Sequence, residues 1–109
     1  MAITQTIAPS TTNANDHVFE ATESTAITTI HLCNLTAATA TVNIYLLPED
    51  GSTTAPSENN KLYNELALDA KDTYIIDTEK MILTSGDKIY VENTDSSGQV
   101  AVTISTIGL

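Results

Sequence analysis

Apolar and polar residues alternate with a period of two along four segments of the chain. The pattern is clear over residues 26–35, 39–47, 88–92 and 100–105. Successive side chains of a β-strand point to opposite faces, so this alternation indicates strands with one buried and one solvated face. Threonine, the commonest residue at 19 positions, is β-branched and favours an extended backbone. The sequence therefore predicts an all-β protein.

Turn-forming residues separate these strands. Pro48–Gly51 closes one strand, Thr84–Asp87 precedes another, and Asp95–Gly98 is interpreted as a hairpin loop. A longer polar loop follows Gly51, and residues 60–68 fit either a short helix or a strand. Seven or eight short antiparallel strands, with turns about every 8–12 residues, predict a single β-sandwich of jelly-roll or Ig-like type. A barrel is the alternative.

The first 16 residues differ from the rest. They are polar and hold only isolated apolar residues, Ile3 and Ile7, followed by Pro9. We interpret residues 1–16 as a short edge strand or a flexible N-terminal arm, and residues 17–109 as the β-sandwich domain. Deleting the arm is expected to leave the fold intact.

The charge balance excludes some classes of partner. The chain has 14 acidic residues against 4 basic ones, all lysines, for a net charge of -10. Nucleic-acid binding depends mainly on cations that neutralise phosphates, so it is not expected.

The apolar runs are far shorter than the ~20 residues of a membrane helix. With no secretory signal and one cysteine, we expect folding in a reducing cytoplasm.

The residues that could carry chemistry form no recognisable catalytic or metal-binding motif. His31 and Cys33 share one strand face, but supporting residues are missing. Residues 92–97 come nearest to a calcium loop without its spacing. No enzyme activity, cofactor or metal is predicted. Tyr45 and Tyr90, expected on solvated strand faces, are candidates for a protein–protein contact, where tyrosine is enriched.

The order of the segments from residue 30 onward carries a resemblance to a known family. The region that carries it spans about three quarters of the chain, and its matching pieces are Ile30–Asn34, Ile44–Gly51, Leu62–Leu68, Ala70–Tyr74, Leu83–Tyr90 and Val100–Ser105. In this order they resemble a family of small virion proteins of tailed bacteriophages. Lys71 and Asp72 stand where that family usually has a glycine turn. No catalytic residue carries over, because the family is structural.

The resemblance implies a virion protein, made in the host cytoplasm. A capsid decoration (cement) protein that binds the major capsid protein on the outer lattice is expected first. A tail, neck or baseplate-associated adaptor is the alternative. The acidic loops and the tyrosines, independently of the resemblance, suggest a carbohydrate- or calcium-binding module as a third hypothesis. The acidic surface would keep the chain soluble before assembly. Symmetric lattice sites favour a homo-oligomer, with a trimer as the first expectation. The partner-binding candidates are then Ile3, Ile7 and Pro9 of the arm, with Tyr45 and Tyr90.

Overall fold

The computed structural model describes residues 2–77, 81–94 and 99–109. These ranges contain nine β-strands and one short 3-10 helix, Glu58–Asn60. The strands are β1 Ala2–Ile7, β2 Phe19–Glu20, β3 Thr25–Asn34, β4 Ala40–Leu47, β5 Lys61–Leu68, β6 Thr73–Ile76, β7 Met81–Leu83, β8 Lys88–Asn93 and β9 Val100–Gly108. The all-β prediction is confirmed.

The strands form two antiparallel sheets. Sheet A has the order β1-β9-β3-β6, with β7 also paired to β3, and sheet B has the order β2-β8-β4-β5. Strands β8 and β9 belong to different sheets, so the expected hairpin between them is wrong. The alternation showed which face each strand buries, but not which strand lies beside it. The predicted loop itself, Asp95–Gly98, lies outside the described residues.

The core lies between the two sheets. Alternate residues of β3 and β9 point inward from sheet A, and alternate residues of β4 and β8 point inward from sheet B. They include Ile27, Ile30, Leu32, Val102, Ile104, Val42, Ile44, Ile89 and Val91. Burying a side chain of this size contributes about 1.5–3 kcal/mol, so this layer is the main source of stability. The β-sandwich prediction is confirmed.

Residues 61–68 form a strand, which decides between the two interpretations of that segment. Strand β5 pairs with β4, and the register shifts twice along the pair. Glu65 has a positive φ of 55°, and its backbone N–H donates to the side-chain oxygen of Asn43 at 2.7 Å. This irregular backbone accounts for the mixed periodicity of the segment, because a bulge interrupts the two-residue alternation.

The start of the chain belongs to the sheets. Strand β1 pairs with β9 along its whole length, which confirms the edge-strand interpretation for residues 2–7. The next two residues cross between the sheets: the N–H of Ala8 donates to Val100 in sheet A, and the carbonyl of Pro9 accepts from Asn93 in sheet B. Over residues 2–9 the chain is therefore part of the sheets and not an arm outside them.

Candidate functional site

The outer face of sheet A carries an unusual set of side chains among the described residues. Residues directly opposite each other in an antiparallel pair share a face, so the registers identify every outward position. The outward residues are Ile3, Gln5 and Ile7 of β1, Ala101, Thr103, Ser105 and Ile107 of β9, Ala26, Thr29, His31 and Cys33 of β3, Thr73 and Ile75 of β6, and Ile82 of β7. We call this set the uncharged face.

No aspartate, glutamate or lysine occupies any of these positions, although the chain has 14 acidic and 4 basic residues. The solvated face of an antiparallel sheet is normally where polar and charged side chains collect. His31 is the only residue of the set that could carry a positive charge. The net charge of -10 therefore lies on the rest of the molecule.

Large apolar side chains rise from the rim of the uncharged face. Ile82 is 69% exposed, Ile3 64% and Ile75 51%, and Ile7 and Ile107 are exposed as well. The middle of the face is lined by the small residues Ala101, Thr103 and Ser105 of β9. Exposed isoleucines therefore lie along both edges of one sheet face, a feature that favours an interaction site.

On the outer face of sheet B, by contrast, other segments of the chain cover the tyrosines. Tyr45, Leu47 and Tyr90 form a second small cluster there, with Tyr90 only 1% exposed. The Tyr90 hydroxyl donates to the carbonyl of Ala14 at 3.0 Å, and the Lys61 ammonium lies 5.8 Å from the centre of the Tyr45 ring. The expectation that Tyr45 and Tyr90 lie on a solvated face is wrong, because neighbouring segments pack over them, which strand alternation does not reveal.

A hydrogen-bonded group fills the middle of the sheet B face. Glu92 Oε1 accepts from the Tyr45 hydroxyl at 3.0 Å and from the Asn43 amide at 3.1 Å. Burial, followed by the hydrogen bond to Glu92, raises the pKa of Tyr45 to about 12. Tyr45 is therefore a neutral donor at ordinary pH, and the group holds β4 against β8. Glu92 is the first residue of the segment 92–97, which came nearest to a calcium-binding loop in sequence. Its Oε1 atom already accepts two hydrogen bonds from the chain.

The acidic turns use their carboxylates to hold the backbone. Asp50 accepts from the backbone N–H groups of Ser52 at 2.9 Å and Thr53 at 2.7 Å. Hydrogen bonds from Thr53, first from its side chain, lower the pKa of Asp50 to about 2. Asp87 accepts from the N–H groups of Glu49 and Thr84, and these bonds lower its pKa even though burial opposes them. These carboxylates are turn caps.

His31 and Cys33 lie on the uncharged face, as their spacing predicted, and both are half-buried. Their neighbours across β9 are Thr103 and Ala101, which offer no charged ligand. His17 belongs to the other side of the sandwich, where its ring packs edge-on against Tyr90 at 6.2 Å between centroids. Within residues 2–77, 81–94 and 99–109 no cluster of three metal-ligating side chains occurs.

The partner-binding candidates from the sequence fall in three places. Ile3 and Ile7 are on the uncharged face, Pro9 is the half-buried crossing between the sheets, and Tyr45 and Tyr90 are under the sheet B loops. Ile75, Ile82 and Ile107 were missed. Each is an apolar residue at an outward position of its strand. The sequence does not show that these positions share one face, because that depends on which strands pair.

Comparisons with protein-family models, with curated proteins and with solved structures give no match. The resemblance to phage virion proteins therefore stays a prediction. In the part of the chain that the structure describes, no helix is long and apolar enough to cross a membrane.

Proposed function

We propose that this chain is a structural protein of a tailed-phage particle, and that it binds the outer capsid lattice as a decoration protein. The observation that supports the proposal is the uncharged face of sheet A. The chain has a net charge of -10, yet none of the described outward positions of sheet A carries a carboxylate, which suits this face to stable contact with another protein.

Burying a charged side chain in a protein contact is costly. A carboxylate buried in an interface without a partner costs several kcal/mol, whereas apolar side chains contribute about 25 cal/mol for each Å² removed from water. Ile3, Ile75 and Ile82 can therefore stabilise a docked complex. The acidic residues elsewhere keep free copies soluble and apart, so the protein accumulates in the host cytoplasm and then assembles onto the particle.

Binding to an assembled lattice stabilises it by mass action, because the ligand favours the assembled state over the separated one. The major capsid protein is the proposed partner, and the virion is the proposed location. The resemblance to small virion proteins agrees with this role. A homo-oligomer is also part of the proposal, since repeated sites on a symmetric shell are filled by symmetric assemblies.

A tail, neck or baseplate-associated adaptor is the second candidate. It would use the same uncharged face, with fewer copies on each particle. The described residues give no support to a carbohydrate- or calcium-binding module. Asp50, Asp87 and Glu92 already accept hydrogen bonds from the chain itself, and the Tyr45 and Tyr90 rings are buried.

The test is to count copies of the chain in particles produced by the genome that encodes it. Quantitative mass spectrometry of purified particles gives the ratio of this chain to the major capsid protein. A ratio of lattice order supports decoration, and a few copies per particle support the adaptor. Absence of the chain from purified particles overturns both. Particles made without the chain should, in the decoration case, lose their DNA at a lower temperature.

A further inference from the structure

Strand β1 forms an edge of sheet A that lacks the usual features that prevent pairing with another chain. Strand β1 has β9 as its only neighbour within the described part of sheet A. Its residues 3–7 read Ile-Thr-Gln-Thr-Ile, which is the same in both directions. The segment contains no charge, proline or glycine. Edge strands normally carry such features because they prevent pairing with another chain.

The other described edges are protected in these ways. Strand β2 is two residues long and includes Glu20. Strand β5 includes Lys61 and has the irregular backbone at Glu65. Strands β6 and β7 lie along the same edge of sheet A: β6 is four residues long and is flanked by Asp72 and Asp77, and β7 is only three residues long. Strand β1 is six residues long and carries no charge, a combination that none of the other described edge strands has.

The backbone groups of β1 point in directions that suit pairing. The N–H of Ala8 donates to Val100 in β9 at 2.9 Å, and the register continues to Ala2 without a shift. Hydrogen bonding in an antiparallel ladder alternates from residue to residue. Ala2, Thr4 and Thr6 therefore bond toward β9, and the N–H and C=O groups of Ile3, Gln5 and Ile7 are directed to the free edge.

We propose that β1 pairs antiparallel with β1 of a second copy of this chain, about a two-fold axis at Gln5. Gln5 then faces Gln5, and Ile3 of each copy faces Ile7 of the other. The residues whose backbone groups point to the free edge are the ones this register pairs. Such an interface is isologous, which requires a self-complementary surface, and the palindromic segment supplies one.

The contact also suits the charge of the chain. Each copy carries -10, so two copies repel at long range, yet β1 brings no charged side chain to the contact. Cross-strand isoleucine pairs on the same sheet face add favourable apolar contact beyond the backbone bonds. The pairing joins the two A sheets and places both uncharged faces side by side. The inference concerns self-association alone and does not depend on the particle.

Sedimentation equilibrium of the full chain, with nothing added before Met1, tests the proposal. A monomer–dimer equilibrium is expected. It should tighten as salt is raised to about 0.15 M, where the screening length falls to about 8 Å and like-charge repulsion weakens. A monomer throughout, a trimer, or a dimer that weakens with added salt overturns the proposal.

Two variants locate the contact. Gln5→Pro removes an N–H directed to the free edge and leaves the β1–β9 bonds in place, so it should weaken the dimer at least about tenfold with the melting temperature nearly unchanged. Ile82→Lys, on the uncharged face but on β7, is the matched control and should leave the dimer intact. A dimer that resists Gln5→Pro, or dissociates equally with Ile82→Lys, contradicts edge pairing.

A distance measurement tests the register without relying on either variant. Spin labels are attached at Gln5→Cys or at Thr54→Cys, each in a Cys33→Ser background. Pairing about Gln5 requires the inter-copy distance to be much shorter for the Gln5 label than for the Thr54 label. A Gln5 distance equal to or longer than the Thr54 distance overturns the two-fold axis.

Discussion

The side-chain amide of Asn34 in sheet A donates a hydrogen bond to the backbone carbonyl of Leu68 in sheet B, with 3.1 Å between the two atoms. The same nitrogen contacts the carbonyls of Ala38 at 2.8 Å and Asp69 at 3.2 Å. Its oxygen accepts from the N–H of Thr36 at 3.0 Å. Asn34 is only 1% exposed, so one buried side chain joins the two sheets and two turns.

Replacing Asn34 should therefore destabilise the fold strongly. Asn34→Ala leaves buried carbonyls without their donor, and each unsatisfied buried group costs about 1–3 kcal/mol. We expect the free energy of unfolding in urea to fall by about 3 kcal/mol. Asn64→Ala is the control: Asn64 is exposed, and surface changes stay within about 0.5 kcal/mol. Similar effects for the two variants would show that the Asn34 bonds contribute little.

Two glycines with positive φ allow backbone strain to be separated from steric conflict. Gly86 has φ +96° and a Cβ there would lie 2.9 Å from Glu49 Cγ, whereas Gly51 has φ +84° with open space around it. Alanine at either position is strained, but only Gly86→Ala also displaces Glu49. We expect Gly51→Ala to cost about 1 kcal/mol and Gly86→Ala more. Thermal unfolding should rank them in this order, and the reverse order would contradict the close approach to Glu49.

The raised pKa of Tyr45 predicts a loss of stability in alkali. Burial and the bond to Glu92 raise it from 10.0 to about 12, so the folded state favours the neutral phenol. This contribution is complete below pH 10 and is lost as pH rises through about 12. Tyr45→Phe has no such group and should lose less stability over that range. Glu92→Gln should lower the pKa of Tyr45, which phenolate absorbance measures. No difference between wild type and Tyr45→Phe would refute the linkage.

Strand periodicity accounts for the parts of the fold that depend on local pattern. Ile30 and Leu32 point inward and His31 outward, as alternation requires. Pairing depends on contacts between distant segments, so the separation of β8 from β9 was not predictable from either strand. Tyr90 is buried where its hydroxyl donates to the carbonyl of Ala14, a residue 76 positions away in sequence. The uncharged face likewise exists only after five strands are placed in order.

Deleting residues 1–16 should destabilise the fold. The sequence alone suggested that residues 1–16 could be deleted without loss of fold. In the structure this deletion removes β1, the buried Ala8 and the acceptor of the Tyr90 hydroxyl. We expect the free energy of unfolding to fall by at least about 2 kcal/mol, since apolar contact and a buried hydrogen bond are both lost. An unchanged urea midpoint would restore the interpretation of a dispensable arm.

A single added charge tests whether the uncharged face is the docking surface. Ile82→Glu places a carboxylate on that face, whereas Thr54→Glu adds the same charge on an exposed loop outside it. Both proteins should fold like wild type, because Ile82 is 69% exposed.

The decisive measurement is the affinity of wild type and both variants for particles made without the chain. We predict that Ile82→Glu binds at least about tenfold more weakly, which corresponds to about 1.4 kcal/mol, because an unpaired carboxylate would be buried at the contact. Thr54→Glu should bind like wild type. Equal binding of all three proteins, or a loss confined to Thr54→Glu, would contradict the assignment of the uncharged face as the docking surface.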